Sequence, residues 1–302
     1  MFKKPLNLVI QPTYRCNKNC PFCLYGQFKN NTETLSLSEL ENILDYLSRS
    51  FEIKTIKISG GEISILGEFY IDLLLRLCKL YTKDLQIFTN LKSLNKIILN
   101  NCDSLNVSLN FNKYDADIKE TIENIKVISN KKSINIKTLD RSCKDNADKI
   151  IDLLNSLNIK SWEIIPYHHT EFLPFKSNSY SNYELVVEQY LRMYREMKFS
   201  FLNKLQLEGI YKKDNYNTPV IYITPNNKIA MQVFDNANNF SLKELEDYTT
   251  ITESYVNYEK SRDNYCSKCT SKLKCLTNYF FNTNYTGPSC SGGKDLISYH
   301  KN

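Results

Sequence analysis

Ten of the 302 residues are cysteine, and their spacing is what could do chemistry. Cys16-Asn-Lys-Asn-Cys20-Pro-Phe-Cys23 sets three thiols within eight residues. Cys266, Cys269, Cys275 and Cys290 set four more near the other end, while Cys78, Cys102 and Cys143 stand alone. Three thiolates cannot by themselves close a four-coordinate structural zinc site. They can bind three irons of a 4Fe–4S cubane and leave the fourth iron open to an outside ligand, which makes that iron a place for chemistry. A zinc site completed by a distant His is the competing reading. Four thiolates satisfy either zinc or a cubane completely, so the rear set reads as a closed site whose metal its residues alone do not choose.

Composition narrows the setting. The 42% hydrophobic and 24% charged fractions, with only 8 Gly and 8 Pro, exclude collagen-like, coiled-coil and disordered chains. No apolar run approaches the roughly 20 residues that span a bilayer, and the first residues lack a secretory h-region with a cleavage site. The expected location is the cytoplasm, with no membrane partner. In that reducing compartment closely spaced cysteines read as metal ligands rather than disulfides. The net charge of +6 is spread along the chain with no dense basic block, which argues against a nucleic-acid partner.

The elements that must position these thiols come next. Short β-rich runs alternate with helical-period segments: strands at 6–10, 54–58, 85–88, 105–109, 134–139 and 161–165, and helices at 36–50, 68–80, 116–128 and 147–157. Such alternation predicts an α/β protein with a parallel sheet and helices outside it. Ser36-Leu-Ser-Glu39 has the form of a capping box, which starts the first helix near Ser36. Several strands are half polar (Thr55 and Lys57; Asn106, Ser108 and Asn110; Asn135 and Lys137), whereas a parallel strand buried on both faces would be apolar throughout. This pattern predicts a sheet curved around a wet lumen. After Tyr167 the alternation stops: 180–197 reads as one long helix, and 220–224 with 229–234 reads as a β-hairpin around Pro225-Asn-Asn-Lys228. The boundary is placed near residue 200, giving domains 1–200 and 201–302.

The C-x3-C-x2-C spacing after a first strand, with Phe22 before the third cysteine, resembles the radical S-adenosylmethionine (SAM) enzymes. Ser59-Gly60-Gly61-Glu62 resembles their GGE motif, and the resemblance implies that Gly60, Gly61 and Glu62 receive the amino group of SAM. Thr89-Asn90 and Ser108-Leu-Asn110 resemble the TNG and SLDG segments, with Leu91 in place of a Gly and Asn110 in place of the usual Asp. Asn90, Ser108 and Asn110 are therefore candidate SAM contacts, and Arg141 or Lys137 would pair its carboxylate. The implied fold is a partial (β/α)6 barrel. The implied cofactors are SAM and a 4Fe–4S cluster on Cys16, Cys20 and Cys23, with a reductant such as flavodoxin or ferredoxin as partner.

Cys266-x2-Cys269-x5-Cys275 with Cys290 resembles the C-terminal part of the SPASM domain of radical SAM enzymes that modify peptides. Tyr279 stands where that pattern has a further Cys, and Met231 and Gln232 occupy the hairpin position of another. The implied module is a small cysteine-rich SPASM-like domain with one auxiliary 4Fe–4S cluster, zinc remaining the alternative for that site. The resemblance implies reductive cleavage of SAM to a 5′-deoxyadenosyl radical that abstracts hydrogen from a ribosomally synthesised peptide, giving a crosslink, epimerisation or oxidation. With no residues to spare before Cys16 for a leader-binding domain, a separate leader-peptide-binding protein is an expected partner. A sugar or aminoglycoside-like alcohol is the alternative substrate, and a non-catalytic Fe–S or zinc scaffold is the third reading. Cys143, in the loop after the fifth strand, reads either as a packed thiol or, by the family resemblance, as a hydrogen-atom donor to a substrate radical. His168 and His169 lie on the same rim.

Overall fold

The computed structural model describes residues 3–20, 23, 25–28, 30–111, 118–139, 142–144, 146–165, 182–205, 220–230 and 239–240. The chain divides into two compact units, one of residues 1–19, 25–106 and 216–257 and the other of residues 20–24, 107–215 and 258–302. Among the described residues no helix is long and apolar enough to cross a membrane.

In the first unit, β1 (Lys4–Ile10), β2 (Phe51–Ile58) and β3 (Leu85–Thr89) run parallel, with β1 beside β2 and β2 beside β3. Their inward apolar residues (Leu6, Leu8, Ile10, Ile56, Ile58, Leu85 and Ile87) are fully buried. Two amphipathic helices, α1 (Leu37–Ser50) and α2 (Glu68–Tyr81), cover them with Leu40, Leu44, Leu47, Ile71, Leu74 and Leu75. Each such leucine or isoleucine contributes about 1.5–3 kcal/mol on leaving water.

Helix α1 starts where the sequence places it, with Ser36 Oγ accepting the Glu39 N–H at 3.4 Å. The return half of the capping box comes from elsewhere: the Ser36 N–H donates to Asn227 Oδ1 at 3.1 Å. Asn227 belongs to the expected hairpin, formed by β8 (Val220–Ile223) and β9 (Ile229–Ala230), and takes φ 61 in its turn. β8 pairs parallel with β1 from Asn7 to Ile10 and so extends this unit's sheet on the side away from β2. β10 (Asn239–Phe240) follows, antiparallel to β9. A six-residue helix that periodicity is too short to reveal, α3 (Lys96–Asn101), ends at Cys102.

The unit boundary falls inside β4 (Ser104–Ser108). In the second unit β5 (Ser133–Leu139), β6 (Ser161–Ile165) and β7 (Ser200–Phe201) are parallel. Helices α4 (Ile118–Ile128) and α5 (Ala147–Ser156) alternate with them. The helix expected over 180–197 is shorter: α6 spans Asn182–Arg192, Met193 leaves helical backbone at ψ 1, and a single 3-10 turn follows at Tyr194–Glu196. This break lets the chain turn into β7 beside β6. Trp162 lies wholly buried, its indole N–H donating to Thr138 Oγ1 at 2.9 Å and its ring edge-on to Tyr190 at 4.8 Å.

The half-polar strands keep that character within each unit. In the first, Asn106 donates to Gln86, Gln86 donates to Asp84, and Thr55 donates to the same Asp84 carboxylate. In the second, Ser161 donates to Asn135, and Lys137 pairs with Glu163. Polar residues of neighbouring strands thus satisfy one another sideways, which lowers the cost of a polar face. Residues 206–219 and 241–302, which make up most of the expected second domain, lie outside the described set.

Candidate active site

The loop carrying the front cysteines leaves β1 and is braced at both ends. Tyr14, two residues before Cys16, stacks on Tyr25, two residues after Cys23, with centroids 5.5 Å apart and planes 21° from parallel. Phe28 packs on Tyr14 at 5.2 Å. Beneath them the fully buried Gln11 donates from Nε2 to the Tyr25 hydroxyl at 2.9 Å and accepts the Tyr14 hydroxyl at Oε1. Burial, reinforced by Glu33, pushes the Tyr14 phenol up to about 12, so it remains a neutral donor at any physiological pH. Sequence reasoning missed this brace. Two tyrosines placed equidistantly outside the outer cysteines are its only linear trace.

The Gly-Gly-Glu segment at the end of β2 lies directly against the start of the cysteine loop. The Gly61 N–H donates to the Thr13 carbonyl at 2.7 Å and the Glu62 N–H to the Arg15 carbonyl at 2.8 Å. A Cβ on Gly60 would meet the Thr13 oxygen at 2.6 Å, and one on Gly61 would meet the Arg15 oxygen at 1.8 Å. Gly60 also takes φ 115, which side chains strongly disfavour. The glycines are thus required for docking the backbone that precedes Cys16.

Glu62 is 1% exposed, and its carboxylate has several donors within the protein. Oε1 accepts the Thr89 hydroxyl at 2.8 Å and the Ser64 N–H at 3.2 Å, while Oε2 accepts the Asn90 N–H at 2.8 Å. It therefore holds the end of β3 against the end of β2. The next residue, Leu91, sits at φ 50 with its side chain 4% exposed. A left-handed leucine costs about 1–2 kcal/mol, a strain that glycine at this position avoids and that burial of the leucine side chain offsets.

Asn90 continues the connection to the cysteine loop. Its Nδ2 donates to Asn17 Oδ1 at 2.7 Å and lies 3.8 Å from Cys16 Sγ, which also accepts the Lys18 N–H at 3.4 Å. Burial pushes the Cys16 thiol up, while the N–H donors from Lys18 and Asn90 act in the opposite direction.

In the second unit, Ser108 is exposed at the end of β4. Asn110 is 6% exposed, its Oδ1 accepting the Leu139 N–H at 3.0 Å, so it fastens the end of β5. Lys137 has Glu163 as its partner across the β5–β6 pair. Cys143 is completely buried, and its backbone carbonyl accepts the Tyr190 hydroxyl at 2.9 Å. Burial, with Cys143 and Asp148 nearby, pushes the Tyr190 phenol up. Phe22, Arg141, His168, His169, Met231, Gln232, Cys266, Cys269, Cys275, Tyr279 and Cys290 lie outside the described residues.

The sequence model of the radical SAM superfamily matches residues 10–173, from the last residue of β1 to beyond β6. The chain belongs to the radical SAM superfamily. No curated protein matches its sequence. Among solved structures, this radical SAM chain is similar to Streptococcus suis SuiB bound to S-adenosylmethionine, with TM-score 0.68 and 16% identity over 93% of this chain and 77% of SuiB. It is similar also to native anSMEcpe with bound AdoMet and Kp18Cys peptide, with TM-score 0.69 and 13% identity over 98% of this chain and 96% of the other. At such identities the likeness shows the fold, and it agrees with the expected α/β partial barrel.

Membership implies a 4Fe–4S cluster and SAM, and the residues present suit them. None of Cys16, Cys20 and Cys23 is in a disulfide, and all three are part-exposed. Among the described residues no three His, Cys, Asp or Glu side chains are gathered at metal-binding distance, so the fit rests on the donor set and its surroundings. Arg15 Nε, in the residue preceding Cys16, is buried without a hydrogen-bond partner among the described residues. An orphaned cationic N–H there suits an anionic, sulfide-bearing group.

Proposed function

We propose that this radical SAM enzyme acts on a ribosomally synthesised peptide, abstracting hydrogen from it to produce a crosslink, an epimerisation or an oxidation. The observation that carries the chemistry is the braced three-cysteine loop docked on Gly60-Gly61-Glu62. The peptide reading draws support from relatives of the same fold, since one structure is of SuiB bound to the precursor peptide SuiA and another is of anSMEcpe with bound AdoMet and Cp18Cys peptide.

Cys16, Cys20 and Cys23 would hold the cluster, leaving one iron for SAM. When bound, these cofactors supply a one-electron cleavage that generates the hydrogen-abstracting species. The protein's own contributions are positional. Gln11, Tyr14 and Tyr25 fix the ends of the loop, the two glycines let its first turn approach β2, and Glu62 fixes Thr89 and Asn90 beside it. Phe22, Ser108, Asn110 and Arg141 are proposed to line the SAM site. Cys266, Cys269, Cys275 and Cys290 are proposed to bind one auxiliary 4Fe–4S cluster in a reduced SPASM-like domain over 201–302, following a core over 1–200.

Anaerobic reconstitution tests this directly. About eight irons per chain are expected for two cubanes, about four with one zinc would reassign the rear site, and none would overturn the reading. Formation of 5′-deoxyadenosine from SAM on reduction, and mass change of peptides encoded beside the gene, then test catalysis and substrate class.

A further inference from the structure

Asn90 connects the Glu62 network to a proposed cluster ligand. Its backbone N–H is fixed by the buried Glu62 carboxylate at 2.8 Å, and its side-chain oxygen accepts the Lys92 N–H at 2.9 Å, closing a local turn. Those bonds leave Nδ2 as the donor end, directed to Asn17 Oδ1 at 2.7 Å and Cys16 Sγ at 3.8 Å. Both anchors lie at the ends of β2 and β3, which set the amide's position.

We propose that Asn90 is a positioning residue that tunes the catalytic cluster, its amide N–H donating to the Cys16 thiolate and raising the cluster's reduction potential. The inference rests on the reading that Cys16 ligates that cluster. A thiolate ligand that accepts a hydrogen bond pushes less electron density onto iron, which stabilises the reduced, more negative cluster; hydrogen bonds to the sulfurs are among the established determinants of such potentials. The same residue ties Cys16 through Glu62 to the Gly60-Gly61 segment, so the electronic state of the cluster and the docking of that segment share one side chain.

The test uses the full chain, reconstituted anaerobically with iron and sulfide, as wild type, Asn90→Leu and Asn17→Ala. The electron paramagnetic resonance signal of the reduced front cluster, identified as the signal that changes on adding SAM, is titrated against potential. Leucine closely matches asparagine in size but donates nothing. Asn90→Leu is expected to lower the reduced-to-oxidised ratio about tenfold at any fixed potential, equivalent to about 59 mV for a one-electron couple. Asn17→Ala removes the competing acceptor but not the sulfur contact, and is expected to titrate as wild type.

An Asn90→Leu ratio within about twofold of wild type, or an equal shift in Asn17→Ala, would overturn the proposal. If Asn90→Leu takes up no iron, Asn17→Ala decides: a normal cluster there supports action through the sulfur, while loss in both assigns Asn90 to holding the loop and overturns it. Wild-type chain that binds no iron, or shows no SAM-sensitive signal, would instead count against the cluster reading on which the inference rests.

Discussion

The ideal Cβ position of Gly61 falls 1.8 Å from the carbonyl oxygen of Arg15, well inside any tolerable contact, and the atom it meets is backbone. Relief would require separating the end of β2 from the residue before Cys16. Gly61→Ala is therefore expected to reduce iron per chain after reconstitution and to lower the melting temperature by several degrees, the scale of a 1–3 kcal/mol loss in a protein of about this size. At Gly67 an added Cβ meets nothing within 4 Å. Gly67→Ala should stay within about 1 kcal/mol of wild type and retain full iron content.

Glu62→Gln tests the carboxylate hub. Glutamine presents one oxygen and one amide nitrogen where Glu62 accepts from Thr89, Ser64 and Asn90, so at least one donor faces another donor or none. Stability in urea is expected to fall by about 1–3 kcal/mol, the cost of stranding a buried polar group. The midpoint should shift while the denaturant slope is unchanged.

Lys137 and Glu163 form a pair whose side chains are 16% and 8% exposed. Lys137→Met leaves the Glu163 carboxylate buried without this partner and should cost about 3 kcal/mol. Lys137→Met combined with Glu163→Leu should recover most of that loss, since an apolar pair replaces a desolvated ionic one. Fluorescence of Trp162, the only tryptophan, reports on this unit, because the residue directly precedes Glu163 on β6.

Burial separates the thiols by reactivity. Burial pushes the fully buried Cys78 up to about 12, so it remains protonated and non-nucleophilic over the ordinary range. In the metal-free folded chain, iodoacetamide at about pH 8 should label the part-exposed Cys16, Cys20 and Cys23 and spare Cys78, as read by peptide mass mapping. Because the folded-state value is raised, the associated stability is intact below about pH 9 and is lost as pH rises toward about 12.

Cys143→Ala discriminates between a packed thiol and a hydrogen donor. With the residue completely buried and Tyr190 bonded to its backbone, the expected result is a stability loss of about 1 kcal/mol with product formation retained. Continued SAM cleavage with no product would instead establish the donor role.

The sequence by itself determined which residues could bind a cluster and roughly where the strands and helices lie. Thiol spacing is local, and the two periodicities are written into neighbouring residues; hence β1, α1, α2, β5 and α5 fall close to where the pattern puts them. It also showed that the strands are half polar, though not that Gln86 bonds Asn106 and Lys137 bonds Glu163 across neighbouring strands. What only the tertiary structure decided are relationships between residues far apart in the chain: Gly61 against Arg15, Glu62 holding Asn90, Asn90 reaching Cys16, and Asn227 completing the cap of α1. Such pairings depend on which strand ends are brought together, and parallel strands joined by helical crossovers place chemically linked residues tens of positions apart. That Cys143 is buried, and that Asn110 is committed to Leu139, was decided in the same way, by packing and by backbone partners that no spacing encodes.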